Sequence, residues 1–88
     1  MKAKVKLLEN SKSKVKAFVS VEHEGITIND IKVIDGKDGL FISMPTRSYE
    51  SDGETKYVNI VYVNDEDLFG DMTETVLKAY KKAVRKGD

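Results

Sequence analysis

Cysteine is absent, which excludes disulfides, thiolate metal sites and a cysteine nucleophile. There is one histidine, His23, so a histidine-rich metal site or a serine–histidine dyad would rest on it alone. The only proline, Pro45, leaves no stretch that reads as a linker, and no repeat or low-complexity segment is visible. No run approaches the ~20 apolar residues that a membrane-spanning helix needs. The N-terminal MKAKVKLLENSKSK alternates lysine with apolar residues, without the continuous apolar centre of a signal peptide. A soluble cytoplasmic protein is therefore expected. At 88 residues the chain reads as one domain, 1–88. So small a domain buries only about 60% of its unfolded surface and commonly gains burial by pairing with a copy of itself.

Charge is present in quantity but divided along the chain. The formal net charge is +0, yet residues 1–16 carry six lysines against Glu9 alone. Residues 64–75 hold five acids and no base, and residues 76–88 hold five bases against Asp88. Partner choice follows such local fields and not the net charge.

Period-2 alternation in AKVKLL (3–8) and KVKAFVSV (14–21) predicts two half-buried strands joined by a turn at ENSK. In the second, Val15, Ala17, Val19 and Val21 share one face. EHEG (22–25) is a further turn, and ITINDIKVID (26–35) reads as a longer strand. Its inward set shifts from Ile26 and Ile28 to Ile31 and Val33, which predicts a bulge near Asn29-Asp30. LFISM (40–44) forms the next strand until Pro45 halts the ladder. The polar TRSYESDGET (46–55) reads as a mobile loop. KYVNIVYV (56–63) reads as a strand with two apolar faces.

From Asn64 the period changes. Phe69, Met72, Val76, Tyr80 and Ala83 recur at spacings of three and four, and line one side of a helix. Lys78, Lys81, Lys82 and Arg85 fall roughly opposite that stripe. Asn64 or Asp65 suits the N-terminal cap and Gly87 the C-terminal stop, with Gly70 delaying a regular helix until after Asp71. The expected fold is α+β: an antiparallel sheet of about five strands with one C-terminal helix packed on it.

Gly36-Lys37-Asp38-Gly39 has the spacing of a phosphate-clamping Gly-x-x-Gly loop, but that loop joins two helices and here both flanks read as strands. A turn that needs positive φ at Asp35-Gly36 and at Gly39 explains the glycines without a ligand. His23 between Glu22 and Glu24 makes a poor metal site, because neighbours on a strand point to opposite faces. No nucleophile, base and orienter come together, so no enzyme, cofactor, metal or small-molecule substrate is expected.

The run INDIKVIDGKDGLFISMPTR (28–47) resembles the signature of the SpoVG family, small bacterial regulators named for stage V of sporulation. The family segment is closely similar: D-I-[KR]-V-I-D-G-x-x-G-L-F-[IV]-x-M-P-[ST]. VKAFVSVEHEGITIND (15–30) and VLKAYKK (76–82) extend the resemblance over roughly residues 4–84. It implies a dimeric, site-specific nucleic-acid-binding regulator, acting on DNA and in some members RNA. The family's binding is attributed largely to bases at the end of the C-terminal helix, which here are Lys81, Lys82, Arg85 and Lys86. Of the bases that follow its Met-Pro, only Arg47 is matched, since Ser48 stands where a second often appears. The following SYESDGETK is longer and more acidic than the family pattern, and KYVNIVYVND lacks a proline common near its end.

Each feature also has a plainer reading. Acids at a helix start and bases at its end complement the macrodipole by about 0.3–1 kcal/mol each. Lys2, Lys4 and Lys6, with Lys12, Lys14 and Lys16, share a parity within each strand, so a hairpin would gather them on one face. That face is either a phosphate-binding surface or a solvated one that discourages edge pairing. Tyr57 and Tyr62 have opposite parity and do not form a base-stacking pair. The two-sided hydrophobicity around Val58, Ile60 and Tyr62 marks them as a dimer contact, one face meeting the helix and the other a second copy. The alternative function is a protein-interaction module that uses the acidic helix start and the 46–55 loop, with no nucleic-acid binding.

Overall fold

The computed structural model describes residues 1–8 and 13–86. Its elements run β1 (Lys2–Leu7), β2 (Val15–His23), β3 (Ile26–Gly36), β4 (Gly39–Ser43), β5 (Thr46–Ser51), β6 (Glu54–Asn59) and α1 (Glu66–Lys86). β1 to β4 form an antiparallel meander in that order, and β5 pairs with β6 in a separate two-stranded sheet. The α+β reading holds, with six strands in two sheets instead of about five in one. The ENSK turn with Lys12, and the Gly87 stop, lie outside the described residues.

Alternation decides which face of the meander is buried. Ala17, Val19 and Val21 of β2 pair with Leu7, Val5 and Ala3 of β1, placing small and β-branched side chains on one face. Ile31 and Val33 of β3 and Ile42 of β4 continue that face, and Met72 and Val76 of α1 close over it. Ile31, Val33, Ala17 and Val76 are fully buried. Each large side chain buried in this way stabilises the fold by about 1.5–3 kcal/mol. The expected bulge is present: Val19 and Val21, two apart on β2, pair with Ile31 and Ile28, three apart on β3. The extra residue sits beside Asp30, whose φ is 64°.

α1 is capped as its composition requires. Asp65 Oδ1 accepts hydrogen bonds from the backbone N–H of Asp67 (3.0 Å) and Leu68 (3.1 Å), satisfying two donors of the first turn. Gly70 does not delay the helix, which runs unbroken from Glu66. No helix among the described residues is long and apolar enough to cross a membrane.

Two expectations are corrected. Residues 46–55 are not a loop: Thr46–Ser51 is a strand, and Asp52-Gly53 (φ 53° and 80°) turns it directly into β6. Positive φ at two central residues with Asp-Gly is the hairpin turn that matches strand twist. In addition, the strand predicted over 56–63 ends at Asn59. There Ile60 N–H donates to Pro45 O (3.0 Å), closing the hairpin at its base. Residues 60–64 then run without a ladder, with Val61 and Val63 packed against the core and Ile60 and Tyr62 turned outward.

The β5–β6 hairpin is an arm, and neither strand touches α1 or any strand of the meander. The Cα radius of gyration is 13.9 Å, against about 12 Å expected for a compact chain of this length.

Candidate nucleic-acid interface

The heptad-like spacing of the last helical turns selects one outer face. Lys78, Lys81, Lys82 and Arg85 stand at i, i+3, i+4 and i+7, so all four project together while Val76, Leu77 and Tyr80 face the core. Among the described residues, these four side chains line a shallow depression of about 310 Å³. All four are exposed, and among the described residues no ion pair engages any of them. Lys86 is exposed in the last turn beside Arg85 but does not line the depression. Lys78, which the helix period groups with Lys81, Lys82 and Arg85 but which is not among the positions the family resemblance implies, is thus part of this surface.

Such a surface attracts an extended polyanion. The lysines act as mobile point charges, while the planar guanidinium of Arg85 can grip phosphate or a guanine edge with two hydrogen bonds. Its position at the C-terminal end of α1 adds the negative end of the macrodipole, which holds the cations without neutralising them.

Arg47 lies elsewhere. It is exposed on β5, paired with Val58 of β6, and the arm that carries it makes no contact with α1. Within one chain the structure does not join Arg47 to the helix-end bases.

The three residues expected at a dimer contact also divide. Val58 is half-buried on β6, whereas Ile60 and Tyr62 are 55% and 63% exposed just past the arm's base. Two adjoining depressions of about 380 and 470 Å³ flank them and share Ile26, Ile28 and Val61. Ile26, expected from the sequence to point inward with Ile28, is instead 65% exposed at the start of β3 and extends the same apolar patch. His23 borders it, with its Nε2 4.0 Å from Glu24 Oε1 at the β2–β3 turn.

The lysines of β1 do not face other lysines. Lys2, Lys4 and Lys6 share one face as expected, but they pair with Glu22, Ser20 and Phe18, so among the described residues no lysine of β1 is paired with another lysine. Lys16 accepts through its backbone carbonyl from Leu8 N–H (3.1 Å), and Lys14 precedes the strand. The glycine turn has strands on both sides, which removes the helix–loop–helix frame of a phosphate clamp. Gly39 has φ 120° as expected, but Gly36 has no positive φ. What Gly36 supplies is room, since a Cβ there would lie 2.6 Å from Phe41 Cε1.

A four-stranded meander covered by one C-terminal helix, with a separate two-stranded hairpin, defines a small α+β domain. The SpoVG family model matches residues 1–82, and the chain belongs to the SpoVG family. Its relatives include proteins named "Putative septation protein SpoVG". That of Symbiobacterium thermophilum is 41% identical over 75 residues, covering 84% of this chain and 51% of the relative. The protein of Thermoanaerobacter sp. is 40% identical over 75 residues, covering 84% and 78%. The Clostridium botulinum protein (strain Alaska E43) is 39% identical over 80 residues, covering 90% and 85%. The chain thus spans about half the length of the first of these relatives and about four fifths of the other two.

Proposed function

We propose that this chain is a homodimeric regulator that binds DNA at specific sites, and RNA as a second target, in the control of septation, sporulation or gene expression. The observation that carries it is the basic face of Lys78, Lys81, Lys82 and Arg85, which no acid among the described residues pairs, continued by Lys86 at the helix end. Phosphates anchor there first, and the longer side chains then reach base edges. The arm supports the dimer. A lone two-stranded hairpin is marginal in water, and the apolar patch of Ile26, Ile60 and Tyr62 at its base lies open. A second copy seated on that patch, with Val58 at its margin, covers both. Two basic helix ends are then held at a fixed separation, which suits paired half-sites, and Arg47 contributes a phosphate contact from each arm.

The test titrates labelled duplex DNA and RNA pools with the protein at two salt concentrations, beside a Lys78→Ala/Lys81→Ala/Lys82→Ala/Arg85→Ala variant. Circular dichroism checks its folding and sedimentation its mass. Salt-sensitive binding lost in a folded, dimeric variant is the expected result. No binding by the native dimer at low salt would replace this reading with a protein-interaction module. An Ile60→Asp/Tyr62→Lys variant should sediment as a monomer; if it remains a dimer, the contact lies elsewhere.

A further inference from the structure

The face of the meander turned away from α1 carries a second basic set, mixed with aromatic rings. Because Ala17, Val19 and Val21 point to the core, their neighbours Phe18 and Ser20 point outward, and so do Lys6 and Lys4, paired with them. Phe18 also pairs with Lys32 of β3, which pairs with Ser43 of β4. A row Lys6–Phe18–Lys32–Ser43 therefore crosses all four strands, with a half-buried ring between two ammonium groups. One pair further along β3, Ile34 faces Phe41, which is 49% exposed and rests its ring against Gly36. At the other end, Lys2, Lys4, Ser20, Glu22 and Thr27 line a depression of about 120 Å³. Among the described residues, Lys2, Lys4, Lys6 and Lys32 are thus set on this face by strand pairing, with the carboxylate of Glu22 among them.

We propose that this outer sheet face binds single-stranded nucleic acid, with bases stacked on Phe18 and Phe41 and phosphates held by Lys2, Lys4, Lys6 and Lys32. Charge complementarity selects a polyanion, and the rings select its form. In a duplex the base faces are stacked on one another, whereas an unpaired strand offers each face to an aromatic ring on an open sheet. Strand spacing and rise put Phe18 and Phe41 about 12 Å apart, room for one base on each ring. Serine and asparagine on the same face, with Ser20 Oγ donating to Asn29 Oδ1 at 2.8 Å, leave acceptors and donors at the margin for base edges. The site lies across the sheet from α1, so it stands or falls independently of the helix end as a duplex-binding surface.

The test uses the whole chain and two labelled probes, a ten-nucleotide uridine oligomer and a duplex of equal length, read by fluorescence anisotropy. Phe41→Leu keeps an aliphatic cover over Gly36, and Lys4→Ala/Lys6→Ala/Lys32→Ala keeps both rings, so a folding defect in one leaves the other to decide. Each should weaken oligomer binding at least about fivefold while duplex binding stays within twofold. The helix-end variant should do the reverse. Absence of oligomer binding by the native protein, unchanged oligomer affinity in both folded variants, or parallel loss of both probes would overturn the proposal. So would a change of sedimenting mass in the lysine variant, which would assign the face to a protein contact.

Discussion

Salt dependence gives the helix-end face its most demanding check. Lys78, Lys81, Lys82 and Arg85 are exposed and have no acidic partner among the described residues, so four cations per chain, hence eight in a dimer, are free to meet phosphate. On duplex DNA each neutralised phosphate contributes about −0.9 to the slope of log K against log salt, so the eight contacts of this face contribute about −7, and contacts from Arg47 or Lys86 steepen it further. Between 50 and 200 mM salt these eight contacts alone should lower the affinity by roughly 10⁴. Lys81→Ala/Lys82→Ala removes four of them, which should make the slope shallower by about 3.6 and the fall about 150-fold smaller over the same range. Anisotropy titrations at five or six salt concentrations measure both slopes directly. A native slope shallower than about −2, or the same slope in the variant, would refute the face as a phosphate site, and the bases would be macrodipole complements only.

Two further expectations follow from the body of the fold. Asp65→Ala leaves the N–H groups of Asp67 and Leu68 without their acceptor and should cost about 1 kcal/mol in urea unfolding, whereas Asp65→Asn should restore most of it. Met72→Ala empties a position that is 2% exposed beneath the helix and should cost about 2–5 kcal/mol, visible as a lower urea midpoint with an unchanged slope.

What was legible in the sequence tracks what is buried. The meander and α1 each press one face on a core, and burial on one face writes a period of two or 3.6 into the chain. The same logic exposes the bulge at Asn29-Asp30, where the inward set changes parity. β5 was illegible for the converse reason. Four of its six residues are exposed and β6 is its only neighbouring element among the described residues, so TRSYES carries no alternation although it pairs along its whole length. The Asp52-Gly53 dipeptide was the available signal, and its polar surroundings disguised it as a loop. The apolar run to Val63 misled in the other direction. Val61 and Val63 are apolar because they cover the core, not because they continue a ladder. At the site, the helix period places Lys78 with Lys81, Lys82 and Arg85, while the position of Arg47 depends on an arm whose direction no local pattern encodes.

The two turn glycines separate room from backbone freedom, and a double-mutant cycle can tell them apart. Gly36 has ordinary backbone geometry, and alanine there is opposed only by the Phe41 ring, whose Cε1 and Cδ1 lie 2.6 and 3.2 Å from the new methyl position. Phe41 is half-exposed and can swing outward, so Gly36→Ala should cost about 1 kcal/mol, the low end of overpacking. With Phe41→Ala already in place the obstacle is gone and the same change should cost almost nothing. Gly39 is the opposite case, with open space around its missing Cβ but φ at 120°. Gly39→Ala should therefore cost about 1–3 kcal/mol whether or not Phe41 is present. Urea unfolding of the two single glycine variants, Phe41→Ala and both doubles yields the two coupling energies. Coupling near zero for Gly36 and Phe41 would show that the ring does not rest where the structure puts it. Coupling for Gly39 comparable to that of Gly36 would mean that both glycines serve the ring and that the turn tolerates a side chain at its positive φ.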